Sequence, residues 1–354
     1  MNVSHAAVVC VITSFATFQP LAFGPLSVGI EAAEQDRVAV LIDSLQHDPS
    51  FKIRLQAAVK LGRSKDARAT PALLESLRDE HYTVRGAACG ALANLGMVAA
   101  IQPLLLVAAS DEDEDVRAEA RRALTRFDKE AAWPELAQAS GTSDVETRLE
   151  AIAIIAQWQD DRARLRLIEA LGDNERIVFV VQQTLAGLAP SAKVELLRLG
   201  LDSPKLSVRM KASQLLGDLG QGGDEKAIAI LMDAYEEELE SDELRRAIRE
   251  QLRRLKDKLP VRELLHDAQK GEERFGRARA LKFLGVVGGE EAQRVLVQAL
   301  TDEDIYVRGV TALSLAEAGD ARAIPALRRL IEDQENARIV QIVRNSIQIL
   351  ERKK

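Results

Sequence analysis

The chain has 354 residues, with 48 Lys and Arg against 55 Asp and Glu and a formal charge of −7. That balance excludes a default nucleic-acid binder, whose affinity comes mainly from neutralising phosphates. Apolar residues make up 47% of the chain and aromatics 4%, so a continuous core must be built from Leu, Ile, Val and Ala, which favours stacked helices over a β-sandwich. The two cysteines, Cys10 and Cys89, form no CxxC pair and no disulfide framework, and Cys89 reads as a small core residue.

Residues 1–30 carry no Lys, Arg, Asp or Glu, and Ala6 to Phe18 is mostly apolar. The stretch reads as a candidate export signal or a disordered segment. Its first residues lack the usual Lys or Arg, and Ala22-Phe23-Gly24 and Ser27-Val28-Gly29 are its small-x-small sites. Val9 stands where a lipoprotein reading of Cys10 requires a small residue, and Pro20 and Pro25 argue against a permanent anchor. The expectation is an exported protein, periplasmic or extracellular, with a cytoplasmic one as the alternative. Any membrane contact runs through this segment if it stays uncleaved. Residues 31–354 form the folded part.

Arg37 to Gln46 supplies a first helix, with Leu41, Ile42 and Leu45 facing in. From there one pattern recurs. Ile53-Arg54 returns as Val84-Arg85, Val116-Arg117, Thr147-Arg148, Val208-Arg209, Leu244-Arg245, Gly276-Arg277 and Val307-Arg308, and Val178-Phe179 fills the gap with the Arg lost. The steps are 30 to 32 residues, except one of 36. Four residues past the first member of the pair comes Ala57, Ala88, Ala120, Ala151, Ala212 or Ala280. Eight past it comes Leu61, Leu92, Leu124, Ile155, Leu216, Leu252, Leu284 or Leu315. Positions zero, four and eight share a helix face, giving a narrow apolar stripe with a small notch that admits a neighbouring helix. Pro71, Pro103, Pro134 and Pro325 are read as opening the second helix of their pairs. Asp48, Asp79, Asp111, Asp173 and Asp302 lie five residues before the pair, where a carboxylate accepts orphan backbone N–H groups. First helices are expected near 50–62, 82–95, 113–127, 144–158, 175–188, 205–219, 242–256, 273–286 and 304–318. A last helix near 336–351 turns Ile339, Ile342, Val343, Ile347 and Leu350 inward.

This pattern resembles the HEAT-like repeats of the phycobilisome-lyase type, most closely in LGRSKDARATPALL (Leu61 to Leu74) and AGDARAIPALRRL (Ala318 to Leu330). The resemblance covers roughly residues 37 to 352. It implies an all-α fold, a right-handed armadillo-like α-solenoid of about ten HEAT-like helix pairs. It fixes no function, because one fold hosts many.

Two stretches depart from the pattern. Asp111 to Asp115 reads as a solvated helix start that suits the helix dipole. Tyr235 to Glu243 lengthens one repeat and reads as a solvated insert, with a docking ridge as the other reading. The histidines His5, His47, His81 and His266 show no metal-ligand spacing. Glu80-His81 stands alone and reversed relative to the His-Glu dipeptides of the deoxyhypusine hydroxylases, so that chemistry does not carry over. No cofactor is expected. Trp133, read at a helix start before Pro134, and Trp158 both read as packing residues.

The recurring Arg54, Arg85, Arg117, Arg148, Arg209, Arg245, Arg277 and Arg308 line up as a ladder if the repeats stack. Either they form an anion-binding stripe or each bridges the aspartate of its own or the next turn, with Asp48, Asp79, Asp111 and Asp302 recurring beside them, and the second reading is preferred. It couples Arg85 to Asp79 and Arg117 to Asp111. Exposed positions of the first helices are then candidates for binding a partner protein: Glu119, Arg122, Lys211, Gln214, Arg246, Glu250, Arg279 and Lys282. The expected function is a non-catalytic protein-binding scaffold or adaptor. The alternative is an enzyme or enzyme subunit of the bilin-lyase or deoxyhypusine-hydroxylase-like group.

Overall fold

The computed structural model describes residues 26–158, 160–238, 241–332 and 334–352. Most of the expected leader, Cys10 included, therefore lies outside the described residues. The chain divides into two compact units, Met1–Glu135 and Leu136–Lys354. The first holds α1 (Leu26–His47), α2 (Phe51–Ser64), α3 (Thr70–Glu75), α4 (Tyr82–Leu95), α5 (Ile101–Ser110), α6 (Glu114–Leu124) and the start of α7 (Lys129–Ala139). The second holds α8 (Val145–Ile155), α9 (Asp161–Glu169), α10 (Glu175–Ala186), α11 (Pro190–Leu201), α12 (Leu206–Gln221) and α13 (Glu225–Glu237). It continues with α14 (Asp242–Arg254), α15 (Val261–Lys270), α16 (Arg274–Val287), α17 (Glu290–Ala299), α18 (Ile305–Ala318), α19 (Ile324–Glu332) and α20 (Val340–Arg352). No strand occurs among the described residues. In each unit the first helices of successive pairs stack on one another, α2 on α4 on α6, then α12 on α14 and α16 on α18 on α20. This is the helical-hairpin solenoid that the repeat predicts.

The stripe explains the stacking. Ala57, Ala88, Ala120, Ala151, Ala212 and Ala280 are at most 2% exposed, and so are Leu61, Leu92, Leu124, Ile155, Leu216, Leu252, Leu284 and Leu315. Ile53 and Gly276 are the exceptions at the leading position, both exposed. One residue past the stripe, a Cβ on Gly62 would stand 2.6 Å from the Ala91 Cα, so α2 and α4 cross nearly backbone to backbone. Burial of this aliphatic surface is the main favourable term, roughly 25 cal/mol per Å².

Helix ends follow from local chemistry. Asp113, Asp144, Asp160, Asn174, Asp224, Ser241 and Asp304 accept backbone N–H groups at the starts of α6, α8, α9, α10, α13, α14 and α18. Gly96 and Gly319 close α4 and α18 in the left-handed conformation, and Lys65 does the same for α2 at φ 57°. The two peptides that carry the family resemblance make one and the same turn. The Asp66 carboxylate accepts from the Arg68 N–H at 2.9 Å and grips its guanidinium, and Asp320 treats Arg322 identically.

Pro71 and Pro325 open α3 and α19 as expected. Pro134 does not open its helix. α7 begins at Lys129, where the Asp128 carboxylate caps Ala131 N–H, so the proline lies inside it. Trp133 is half-buried and Trp158 buried. Cys89 is fully buried, and burial pushes its thiol up to about 12. The insert is not solvated at its start. Tyr235 is fully buried against Phe283, and its hydroxyl donates to Glu317 at 2.5 Å. Leu239 and Glu240 lie outside the described residues.

Candidate functional site

The arginine ladder has a definite geometry. Arg54 forks onto Asp79 through Nε and Nη2 at 2.7 and 2.9 Å, and Arg85 forks onto Asp111 at 2.8 Å through both. Arg148 forks onto Asp173 and Arg277 onto Asp302 in the same way. Each therefore reaches the aspartate of the next turn. Its own turn is met only through Nη1, which donates to a carbonyl six residues back: Asp48 for Arg54, Asp79 for Arg85, Asp111 for Arg117. The expected side-chain couplings Arg85–Asp79 and Arg117–Asp111 are thus corrected. The Asp79 carboxylate is already taken by Arg54 and by the His81 N–H, and Asp111 by Arg85 and the Asp113 N–H. The carboxylate of Asp48 meets the Ser50 N–H.

The pairs are well shielded: the side chains of Arg85 and Asp111 are 8% and 7% exposed. Burial alone would raise the carboxyls of Asp79, Asp111 and Asp173. The hydrogen bonds from Arg54, Arg85 and Arg148, helped by backbone N–H groups, outweigh it and hold all three below the usual carboxylate range. At the Arg54, Arg85 and Arg277 rungs the next residue is an exposed glutamate, Glu80, Glu112 or Glu303, that meets Nη2 as a second acceptor. Arg308, at the last seam, uses the Asn336 amide oxygen at 2.7 Å.

The ladder is interrupted from α10 to α14. Phe179 stands in an arginine position and is 59% exposed. The buried Nε of Arg209 and of Arg245 lacks a hydrogen-bond partner among the described residues. Arg245 turns instead to Tyr235, 5.2 Å from its ring, with the Glu317 carboxylate 3.9 Å away. Across this stretch runs an open groove of ≈ 750 Å³. Val178, Phe179 and Gln182 of α10, Met210, Lys211 and Gln214 of α12, and Gln251 of α14 line it, with Asp173. Phe179 and Met210, the latter 39% exposed, are its exposed apolar side chains, and Gln182, Gln214 and Gln251 add side-chain amides.

The candidate binding residues divide three ways. Lys211 and Gln214 stand in the groove, 3.3 Å apart. Glu119 and Arg122 pair with each other in the first unit at 2.8 Å. Arg246 and Glu250 are exposed on α14, where Arg246 Nε donates to the Asp242 carbonyl. Arg279 and Lys282 are engaged by α13: Asp233 and Glu236 accept from the exposed Arg279 at 2.9 and 2.8 Å, and the Glu236 carbonyl accepts from the half-buried Lys282. Burial and nearby Arg245 lower the Lys282 amine. Phe179 and Met210 were not among the candidate residues, although Phe instead of Arg at a repeated position was an available signal. Among the described residues no group of three or more His, Cys, Asp or Glu side chains could hold a metal, and no helix is long and apolar enough to cross a membrane.

A family model described as HEAT repeats matches residues 38–125, 101–186 and 261–348. No curated protein matches the chain. Among solved structures, human deoxyhypusine hydroxylase in complex with glycerol is 18% identical over 82% of this chain and 99% of its own, with a TM-score of 0.29. Kap121p bound to Pho4p is 14% identical, with a TM-score of 0.37; the match covers 92% of this chain and 43% of that one. An engineered protein is 18% identical over 89% of this chain and 98% of its own, with a TM-score of 0.26.

Proposed function

Because the chain belongs to the HEAT-repeat family, we propose that it is a protein-binding scaffold whose second unit captures a peptide segment of its partner in the groove from α10 to α14. One observation carries this reading: Phe179, exposed in the groove with Met210, stands at the repeat position where Arg54, Arg85, Arg148 and Arg277 close their seams. An aromatic ring on a rigid helix face is an economical anchor, because it offers large contact area for few frozen torsions. Gln182, Gln214 and Gln251 offer both donors and acceptors, which suits the backbone of an extended peptide. A stacked array holds these groups at fixed spacing, so little ordering is needed on binding.

The test compares two forms of the full chain as bait in native extract, wild type and Phe179→Ala/Met210→Ala. Proteins retained by the wild type and lost from the variant, with circular dichroism unchanged, support the groove. Equal retention on both overturns it. The export reading of residues 1–30 belongs to the same proposal. Cell fractionation checks it, with intact cytoplasmic chain counting against it.

A further inference from the structure

Asp173, which lines the groove, also lines a second, smaller cavity of ≈ 210 Å³, together with Ser140, Thr142, Arg148, Arg166, Glu169 and Lys205 among others. Its charge is unusual for this molecule. Three cationic side chains face two carboxylates there, Glu169 and Asp173. Asp173 is held by Arg148, while Glu169 accepts from the Ser203 hydroxyl at 2.9 Å and has Lys205 Nζ 3.5 Å away.

Two departures from the repeat create the surplus. At the other aspartate rungs described above, the residue after the aspartate is the glutamate that serves Arg Nη2. After Asp173 comes Asn174, whose side-chain oxygen is spent capping Ile177 N–H, so no second acid reaches Arg148. Thr142 stands five residues before its pair, in the place of a turn aspartate, and a second acid is missing there too. Meanwhile Arg166 donates Nε to the Ser140 hydroxyl at 2.6 Å. That fixes the plane of its guanidinium and leaves its terminal nitrogens with no acceptor among the described residues. Nη2 lies over Gly141, where a Cβ would stand 3.2 Å from it. A planar fork of free N–H groups, a second arginine and a lysine form a receptor for a carboxylate.

We infer that the pocket of Arg148, Arg166 and Lys205 binds a carboxylate of the partner, so that the groove selects a peptide in which an acidic residue neighbours an apolar one. The apolar side chain lies on Phe179 and Met210, and the carboxylate accepts from Arg166 beyond Asp173. This inference rests on the groove being a peptide site.

The experiment uses a display library of random twelve-residue peptides selected against the full wild-type chain, followed by affinity measurements on a synthetic copy of the leading sequence. Selected peptides should pair Asp or Glu with an aromatic or branched residue. Changing that acid to its amide should weaken binding about ten- to a hundredfold. Arg166→Gln should weaken the acidic peptide equally and leave the amide peptide unchanged. Lys205→Gln, at an exposed side chain, gives a smaller loss in the same direction without risk to folding. Peptides that need Phe179 but ignore the acid, Arg166 and Lys205 overturn the pocket and leave the groove standing. Peptides that ignore Phe179 as well overturn both.

Discussion

Between α2 and α6, and again between α16 and α20, each seam is closed twice. An apolar stripe packs helix on helix, and an arginine reaches from one turn to the next, by a fork onto an aspartate or, at the last seam, by one bond from Arg308 Nε to Asn336. From α10 to α14 the stripe holds only in part: α12 and α14 stack through buried Val208, Leu216, Leu244, Ile248 and Leu252, whereas α10 buries Ile177, Val178, Val181 and Leu185 and leaves positions four and eight, Gln182 and Ala186, half-buried and exposed. There Phe179 replaces one fork and Arg209 Nε has no partner among the described residues. The contrast separates two jobs that regular repeats perform together. Stacking needs only the stripe. The fork adds stability and closes the edge, and where it is absent that edge can carry side chains for a partner.

The largest expected effect tests the stripe itself. Leu92→Ala should cost about 2–5 kcal/mol, read from denaturant unfolding, because a fully buried side chain leaves a cavity at the α2–α4–α6 seam. A loss below about 1 kcal/mol would make the stripe secondary. Next, Arg85→Ala should cost about 3 kcal/mol, since it strands the shielded Asp111 charge. A double-mutant cycle should show strong coupling of Arg85 with Asp111 and little with Asp79, whose contribution to Arg85 is a backbone carbonyl that survives Asp79→Ala. Arg209→Ala should change stability by no more than about 0.5 kcal/mol. A loss equal to that of Arg85→Ala would erase the distinction between the two regions.

Acid should act on the forks selectively. The carboxyls of Asp79, Asp111 and Asp173 titrate below their unfolded value, near about 3.9, so their stabilisation is fully present above that pH and is lost as pH falls through the lowered folded values. The acid limb of a stability profile should flatten in the Asp111→Asn chain; an unchanged limb would show that this fork carries no linkage. The smallest effect concerns Lys65, which holds a left-handed backbone that glycine holds at Gly96 and Gly319. Lys65→Gly should stabilise by about 0.5 kcal/mol, relief of the Cβ clash outweighing the lost chain stiffness. A lower melting temperature would contradict it.

The helices and their stripes were legible because positions zero, four and eight repeat in step, and the expected first helices agree with α2, α4, α16 and α18 to within two residues at each end. The direction of the forks was not legible, for a reason internal to repetition. With a step of about 31 residues, an aspartate six before an arginine and one 25 after it occupy the same place in the repeat, so spacing cannot tell own turn from next turn. Burial of Tyr235 against Phe283 depends on a contact 48 residues away that no local pattern encodes. The groove was half legible. Lys211 and Gln214 follow from helical spacing, whereas the exposure of Phe179 arises only when three first helices are set side by side. Pro134 misled because proline marks a helix start only when no better cap precedes it, and Asp128 does.

The fork also makes each repeat an interchangeable part. A segment such as residues 79–110 brings its own socket, Asp79, for the arginine before it and its own plug, Arg85, for the aspartate after it. Copied in tandem, it would present Arg85 of the first copy to Asp79 of the second and return Arg85 of the second copy to Asp111. A recombination event at this point therefore needs no compensating change at either junction. An array lengthened by that one cassette should melt no lower than its parent, so the chain can grow by duplication while its interrupted region, which lacks matching ends, stays single.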